Sequence, residues 1–466
     1  MPGPVPRFPP LGVWINGERV ATWSRSAGGV ETLDYDPAWR ASPSARPLSL
    51  TLPFTPGDTP IRGDVVGAWF DNLLPDSLPI RRRIARRFHT GGVEPRALLA
   101  AIGRDCVGAV QLLPIDETPT DVRRITGVPL DDAEVAAILR HQSTDDRFGL
   151  GAPDADRDFR ISIAGAQEKT ALLRHDGRWH RPIGTTPTTH ILKLPLGLVG
   201  NIGADLRTSV ENEWLCLAFL RATGLPAATA SIATFDDEHG PVRTLVVERF
   251  DRRLLVPPDT GEPWLARLPQ EDLCQATGTP AEHKYESDGG PGIATCLGVL
   301  ANGAAPEEDT LHFVLAQLAF WLLAATDGHA KNFSIFLRRD GHVLTPLYDV
   351  LSAWPIIGRG AGMLPRQKAR LAMALRGTSP HYELARIHAT HWHALARRLP
   401  ARDAWARLVA FVDGADAAMA SLAPTLPPDF PADVHDAIAA GVRDHRRRFL
   451  DAVAASGLAV VTRPVR

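Results

Sequence analysis

The sequence predicts an α+β protein, β-rich in its first half and helical in its second. Three features predict it. An Asn16-Gly17 pair lies between short apolar runs, and both residues tolerate the positive φ of a tight hairpin turn. Runs rich in β-branched and aliphatic residues recur at 48–52, 161–163, 170–173, 189–195 and 244–250. Beyond about residue 265 the period changes, and apolar positions fall at helical spacing in 311–325, 382–399, 405–420 and 434–455.

In chain order, the hairpin opens a front segment that continues through a helical stretch at Trp69, Phe70, Leu73 and Leu74, stopped by Pro75. Arg81, Arg82, Arg83, Arg86 and Arg87 follow, in a pattern that a solvated helix face explains. Residues 115–129 are rich in Asp, Thr and Pro and read as a linker. The middle segment sets its strands around one helix. Thr208, with Glu211 three residues on, gives that helix the spacing of a capping box, and Gly224 with Pro226 stops it. The expected division is 1–118, a β-rich N-terminal subdomain, then 119–255, β-rich with one long helix, then 256–466, all-helical.

With 466 residues, 44% hydrophobic and 22% charged, the chain is neither a disordered segment nor a small disulfide scaffold. The 51 basic and 53 acidic side chains nearly cancel, which argues against coating nucleic acid by bulk charge. None of Cys106, Cys216, Cys274 and Cys296 forms a C-x-x-C pair, so no zinc ribbon or redox motif is indicated. The longest apolar stretch, 313–325, is interrupted by Gln317 and too short to span a bilayer. A cytoplasmic setting with no membrane partner is expected. Only five basic residues are lysine, at 169, 193, 284, 331 and 368. Lysine and arginine exchange freely on a solvated surface, but not where a compact ammonium meets a phosphate.

Chemistry concentrates in the segment Ala325-Thr326-Asp327-Gly328-His329-Ala330-Lys331-Asn332, after a strongly apolar helix. Asp327 and Asn332 have the D-x-x-x-x-N spacing of a protein-kinase catalytic loop, in which Asp takes a hydroxyl proton and Asn holds a metal ion. Lys331 lies between them. Downstream, Leu347-Tyr348-Asp349 places a second carboxylate after a short apolar strand, without the Phe-Gly that follows it in protein kinases. Lys193 sits between Leu192 and Leu194, where an ammonium needs a partner, and Glu211 and Glu213 are both candidates to orient it. Residues 164–170 form a small, glycine-containing turn after a strand, able to aim N–H groups at phosphate oxygens. His388, His391 and His393 cluster, but with no accompanying Cys or acidic motif.

Together these residues resemble the HipA family of bacterial Ser/Thr kinase toxins. Segments 161–169, 189–195, 247–253, 268–274, 284–292, 325–333 and 344–352 carry the resemblance, and 70–77 and 101–113 resemble the family's N-terminal subdomain. The resemblance implies a two-lobed, protein-kinase-like fold, with the N-lobe in 119–255 and the catalytic loop in a helical C-lobe. It implies Asp327 as catalytic base, with Asn332 and Asp349 holding Mg²⁺. ATP would meet a phosphate loop of Ala164, Gly165, Ala166, Gln167, Glu168 and Lys169. Lys193 would contact its phosphates, and a hinge of Glu248, Arg249 and Phe250 would receive adenine. His329, Lys331 and Tyr348 would complete the pocket. Ser162 would be the site of a silencing autophosphorylation.

The resemblance further implies transfer to a serine of glutamyl-tRNA synthetase, with translation stalled and the cell dormant. The implied partner is a HipB-like helix-turn-helix antitoxin, with operator DNA contacted mainly through it. Two other readings use the same residues: a DNA-bound co-repressor module, motivated by Arg81–Arg87 and by Arg397 and Arg398, and a small-molecule kinase.

Overall fold

A computed structural model describes residues 9–143, 167, 169–200, 202–377 and 379–458. The strand expected at 161–163 lies outside them, as do Ser162, Ala164, Gly165, Ala166 and Glu168. The chain divides into two compact units. The first comprises Met1–Leu194, Ala233–Glu282 and Ile335–Asp340; the second comprises Pro195–Ile232, His283–Ser334 and Gly341–Arg466.

The first unit opens with a five-stranded antiparallel sheet: β1 (Leu11–Ile15), β2 (Glu18–Arg25), β3 (Glu31–Tyr35), β4 (Ile61–Arg62) and β5 (Val110–Pro114), in the order β4-β3-β2-β1-β5. The Asn16-Gly17 turn joins β1 to β2 with φ of 50° and 89°. Its Asn side chain also exchanges two hydrogen bonds with the backbone of Arg267, each 2.9 Å. Helices α1 (Asp64–Asp71), α2 (Leu78–Arg87) and α3 (Pro95–Ile102) follow. α1 and α3 bury Val66, Trp69, Phe70, Leu98, Leu99 and Ile102 in one core with Val13, Trp23 and Leu33 of the sheet. Trp23 stacks on Phe70 with centroids 4.0 Å apart.

Residues 48–52, expected as a strand, instead form a turn. The Leu52 N–H donates to the Ser49 carbonyl, and the Ser49 hydroxyl accepts from the Thr51 N–H. Serine bonding its own local backbone outcompetes strand pairing there.

A second sheet in this unit runs β10-β11-β9-β7-β8-β6, built from β6 (Gly127–Leu130), β7 (Lys169–His175), β8 (Arg178–Pro182), β9 (His190–Lys193), β10 (Ala230–Asp237) and β11 (Gly240–Glu248). Helix α4 (Asp132–Ser143) covers it, with Val135, Ala136 and Leu139 packed on Leu172, Leu192 and Val246.

The second unit is built on helices α5 (Ser209–Ala222), α6 (Pro306–Leu323), α7 (Ala389–Ala396), α8 (Ala404–Ala420) and α9 (Ala432–Ala455). From Leu311 onward α6 is apolar nearly all round, as befits a central helix, and His312 alone there escapes full burial. α9 packs along it: His445 stacks on Trp321 at 4.2 Å, and its Nδ1–H donates to the Trp321 carbonyl at 2.7 Å. Among the described residues no helix is long and apolar enough to cross a membrane.

Three expectations need correction here. The capping box of α5 does not form. The Thr208 backbone (φ −96°, ψ 20°) is not extended, and its hydroxyl makes no cap bond; Ser209 instead accepts from the Leu196 N–H at 2.9 Å. Region 382–399 is not one helix, since only Ala389–Ala396 is α-helical. Nor is 256–466 all-helical. Arg370–Arg376 and Pro380–Glu383 form an antiparallel ribbon, where Pro380 supplies no N–H for a helical turn.

Candidate active site

The loop that follows α6 is set by a helix stop. Ala324 takes the left-handed conformation (φ 49°, ψ 40°) and the Ala325 N–H returns to the Phe320 carbonyl at 2.8 Å. From 328 to 335 every residue is buried, with His329 at 3%, Lys331 at 6% and Asn332 at 6% exposure. Asp327 is the contrast, with a side chain 63% exposed. The loop closes on itself: the His329 N–H donates to the Asp327 carbonyl at 2.8 Å, and the Asn332 side-chain amide donates to the same oxygen at 2.7 Å. Gly328 is required by packing. A Cβ there would stand 2.3 Å from Cδ2 of the Phe320 ring.

Tyr348 and Asp349 are brought to this loop. The Tyr348 hydroxyl donates to the Lys331 carbonyl at 2.8 Å and receives the Ser334 hydroxyl at 2.5 Å. Leu347 is fixed by a parallel bridge to Ala227. On the far side, the Ser352 hydroxyl donates to the Leu323 carbonyl at 2.6 Å, and Asn212 of α5 pairs with both backbone groups of Ser352 at 2.8 Å. Between these anchors Asp349 has φ 59°, a left-handed conformation that a non-glycine residue adopts at some cost. Glu211 and Glu213 are both buried in α5.

The remaining described candidates lie in the first unit. Lys169 on β7 and Lys193 on β9 are direct cross-strand partners, so both side chains project from the same face. Lys193 is 5% exposed. Gln167 donates to the Leu194 carbonyl at 2.6 Å, tying the start of β7 to the end of β9. Glu248 ends β11 and is exposed; Phe250 is half-buried and meets Phe336 edge to face at 5.9 Å.

Arg249 anchors a buried cluster of ion pairs. Its guanidinium is buried and donates to Asp251 (3.0 and 2.8 Å), Thr188 (3.0 Å) and the Cys106 carbonyl (2.8 Å), and it also reaches Asp105 at 3.3 Å. Its N–H donates to the Thr189 carbonyl and its carbonyl receives the Arg252 N–H. The guanidinium of Arg249 is thus used in the fold. Arg252 and Arg267 also pair with Asp105, at 2.9 and 3.2 Å. Burial alone would raise the Asp105 pKa, but the three arginines hold it well below the usual carboxylate range.

The HipA N-terminal domain family matches residues 11–113, and the HipA-like C-terminal domain family matches residues 161–420, more than half of the chain. The chain belongs to the HipA family. It is 32% identical over 368 residues to a putative kinase, Y4mE, of Sinorhizobium fredii, covering 78% of this chain and 82% of that one. It is 27% identical over 335 residues to the serine/threonine-protein kinase toxin HipA of Shewanella oneidensis, covering 68% and 69%. The solved complex of Shewanella oneidensis HipA with HipB and its operator DNA shares the fold. The TM-score is 0.75 at 22% identity, over 97% of this chain and 100% of that one. The chain is therefore a kinase of the HipA family, with a mixed α/β fold.

Within this HipA-family chain, one neighbour of the loop escaped sequence reasoning. The Tyr285 hydroxyl donates to Oδ1 of Asp327, 42 residues away, and its ring meets His329 edge to face at 5.0 Å. Its only sequence signal was its place in the 284–292 segment. The histidine trio has a local explanation: the His388 and His391 side chains each bond the other's backbone N–H to cap α7, and His393 meets Trp405 edge to face at 5.0 Å. Among the described residues no group of three or more His, Cys, Asp or Glu is placed to hold a metal ion. Arg81, Arg446 and Arg447 are ion-paired with Asp71, Asp413 and Asp444.

Proposed function

We propose that the chain is a serine/threonine protein kinase toxin, transferring the γ-phosphate of ATP to a serine of a protein substrate. The observation that carries this reading is one exposed carboxylate, Asp327, on a loop otherwise buried and closed by Asn332. Such a carboxylate is placed to take the proton of an incoming hydroxyl. Its backbone is fixed by two hydrogen bonds to its carbonyl, so little reorganisation is needed at the moment of transfer.

The donor set fits Mg²⁺. The Asn332 NH₂ is tied to Asp327, which leaves its side-chain oxygen as the atom to offer a cation, and Asp349 adds a carboxylate. Both are hard oxygen donors. When bound, Mg²⁺ would neutralise charge on the phosphates. Lys193 and Lys169 would hold phosphate oxygens. Gln167, with Ala164, Gly165, Ala166 and Glu168, would line the phosphate loop. Glu248 and Phe250 would face adenine, and His329, Lys331 and Tyr348 would shape the pocket wall. Ser162 remains the proposed site of autophosphorylation, where a phosphate would add about −1.5 to −2 charge between two isoleucines. The division at 118 and 255 remains the proposed domain organisation.

The proposed partner is a HipB-like antitoxin that carries the contact with operator DNA, as the shared fold with the HipA–HipB–DNA complex supports. A protein serine, in glutamyl-tRNA synthetase by resemblance, is the proposed acceptor. The test is expression of wild type and Asp327→Asn in a host lacking the antitoxin, with lysate labelled by γ-phosphate-labelled ATP. Growth arrest and a labelled protein band are expected for wild type alone. Labelled metabolite without a protein band would show a small-molecule kinase instead, and DNA retention unaffected by Asp327→Asn with no transfer would favour the co-repressor.

A further inference from the structure

The segment 284–292 carries one of the five lysines and a run of glycines, yet none of the roles above uses it. Its construction is specific. The Tyr285 carbonyl accepts N–H bonds from Asp288 (3.0 Å) and Gly290 (2.9 Å), folding the segment into a tight turn. A Cβ on Gly290 would stand 2.0 Å from the His283 carbonyl oxygen, and one on Gly292 would stand 2.3 Å from the Glu286 carboxyl carbon. Glu286 is the anchor: its carboxylate accepts from the Ala374 N–H at 2.6 Å and pairs with Arg376 at 2.9 Å. The turn is thereby fixed to the Arg370–Arg376 strand. Its product is the position of one side chain, Tyr285.

That side chain is directed at Asp327. The phenol donates to Oδ1, the ring packs against His329, and the Lys284 ammonium lies 5.5 Å from the ring centroid. His329 Nε2 also approaches Oδ1, at 3.9 Å. Both neighbours therefore address the same carboxylate oxygen. We infer that Tyr285 is a positioning residue for the catalytic base: it holds Asp327 by Oδ1 so that Oδ2 accepts the proton of the substrate hydroxyl. The proton passes from that hydroxyl to Oδ2 as the hydroxyl oxygen bonds to the γ-phosphorus and the bond from that phosphorus to ADP breaks. The phenol keeps its own proton throughout. This rests on the kinase reading above and deepens it.

The test has two arms. In the kinetic arm, Tyr285→Phe keeps the ring against His329 and removes only the hydroxyl. It should lower kcat for phosphoryl transfer at least tenfold with KM for ATP unchanged within twofold. Gly292→Ala, which disturbs the turn from outside the site, should lower kcat in the same direction. In the spectroscopic arm, a low-field hydroxyl proton resonance from the Tyr285–Asp327 bond should be present in wild type and absent in both Tyr285→Phe and Asp327→Asn. A wild-type kcat in a folded Tyr285→Phe, or a resonance that survives Asp327→Asn, would overturn the assignment. A wild-type chain that shows the resonance but transfers no phosphate would overturn the kinase reading while supporting the pairing itself.

Discussion

The side-chain amide of Asn332 donates to the backbone carbonyl of Asp327 at 2.7 Å, so the two ends of the D-x-x-x-x-N spacing are joined directly. One residue closes the loop with its nitrogen, and its oxygen is the atom proposed to meet Mg²⁺. Asn332→Ala removes both, whereas Asn332→Asp keeps an oxygen but loses the donor. Loss of this hydrogen bond costs about 0.5–1.5 kcal/mol, since the Asp327 carbonyl still accepts from the His329 N–H. Transfer at saturating ATP should fall at least a hundredfold in Asn332→Ala, and Asn332→Asp should not restore the wild-type rate at any Mg²⁺ concentration.

Gly328 tests the packing behind the same loop. A Cβ there enters the Phe320 ring, so Gly328→Ala forces the loop or the α6 terminus to move. Overpacking of this kind costs about 1–3 kcal/mol. Tm should fall, and Phe320→Leu added to Gly328→Ala should recover part of the loss. Equal Tm for the single variant and wild type would show that the loop has room.

The lysines allow a graded comparison. Lys169 and Lys193 are proposed to hold phosphate oxygens and Lys331 to shape the pocket wall, whereas Lys368 is exposed at the end of a short turn. Arginine at 169, 193 or 331 should raise KM for ATP at least severalfold. Arginine at 368 should leave it unchanged.

Asp105 is the hub of the buried ion pairs with Arg249, Arg252 and Arg267. Removing one partner of a buried pair leaves uncompensated charge and costs about 3–5 kcal/mol. Asp105→Asn should therefore lower the denaturation midpoint by a large fraction of total stability, which chemical denaturation measures directly.

Glu271 gives a pH dependence. Burial pushes its carboxyl up to about 7, against opposing hydrogen bonds from Ser49, the Leu50 N–H and the Trp69 indole. A carboxyl that holds its proton more tightly folded than unfolded adds stability at low pH, lost as pH rises through the folded value. Its contribution should decline between about pH 4.5 and 7, by up to about 3 kcal/mol. Glu271→Gln should flatten that slope in unfolding measurements across the interval. An unchanged slope would assign the pH dependence elsewhere.

Local signals in the sequence led to the right elements. Asn16-Gly17 makes the expected hairpin because two residues tolerant of positive φ suffice. The apolar run of 313–325 is a buried helix because its apolar surface has no polar side to expose. The spacing of Asp327 and Asn332 is a short-range fact, close in sequence and therefore legible. What escaped depends on distant partners. Tyr285 reaches Asp327 across 42 residues, and Arg249 is drawn into the fold by Asp105, 144 residues away. The turn at 48–52 escaped because the Ser49 hydroxyl accepts from the nearby Thr51 N–H, and the cap at Thr208 is missing because its backbone is not extended.

Asp327 is proposed as the base of the phosphoryl transfer. Single-turnover transfer from labelled ATP by purified wild type and Asp327→Asn, with nucleotide affinity measured on both, tests it most directly. In Asp327→Asn nucleotide affinity should be unchanged and the transfer rate lower by at least a thousandfold. Transfer by Asp327→Asn at the wild-type rate would contradict this assignment of the base.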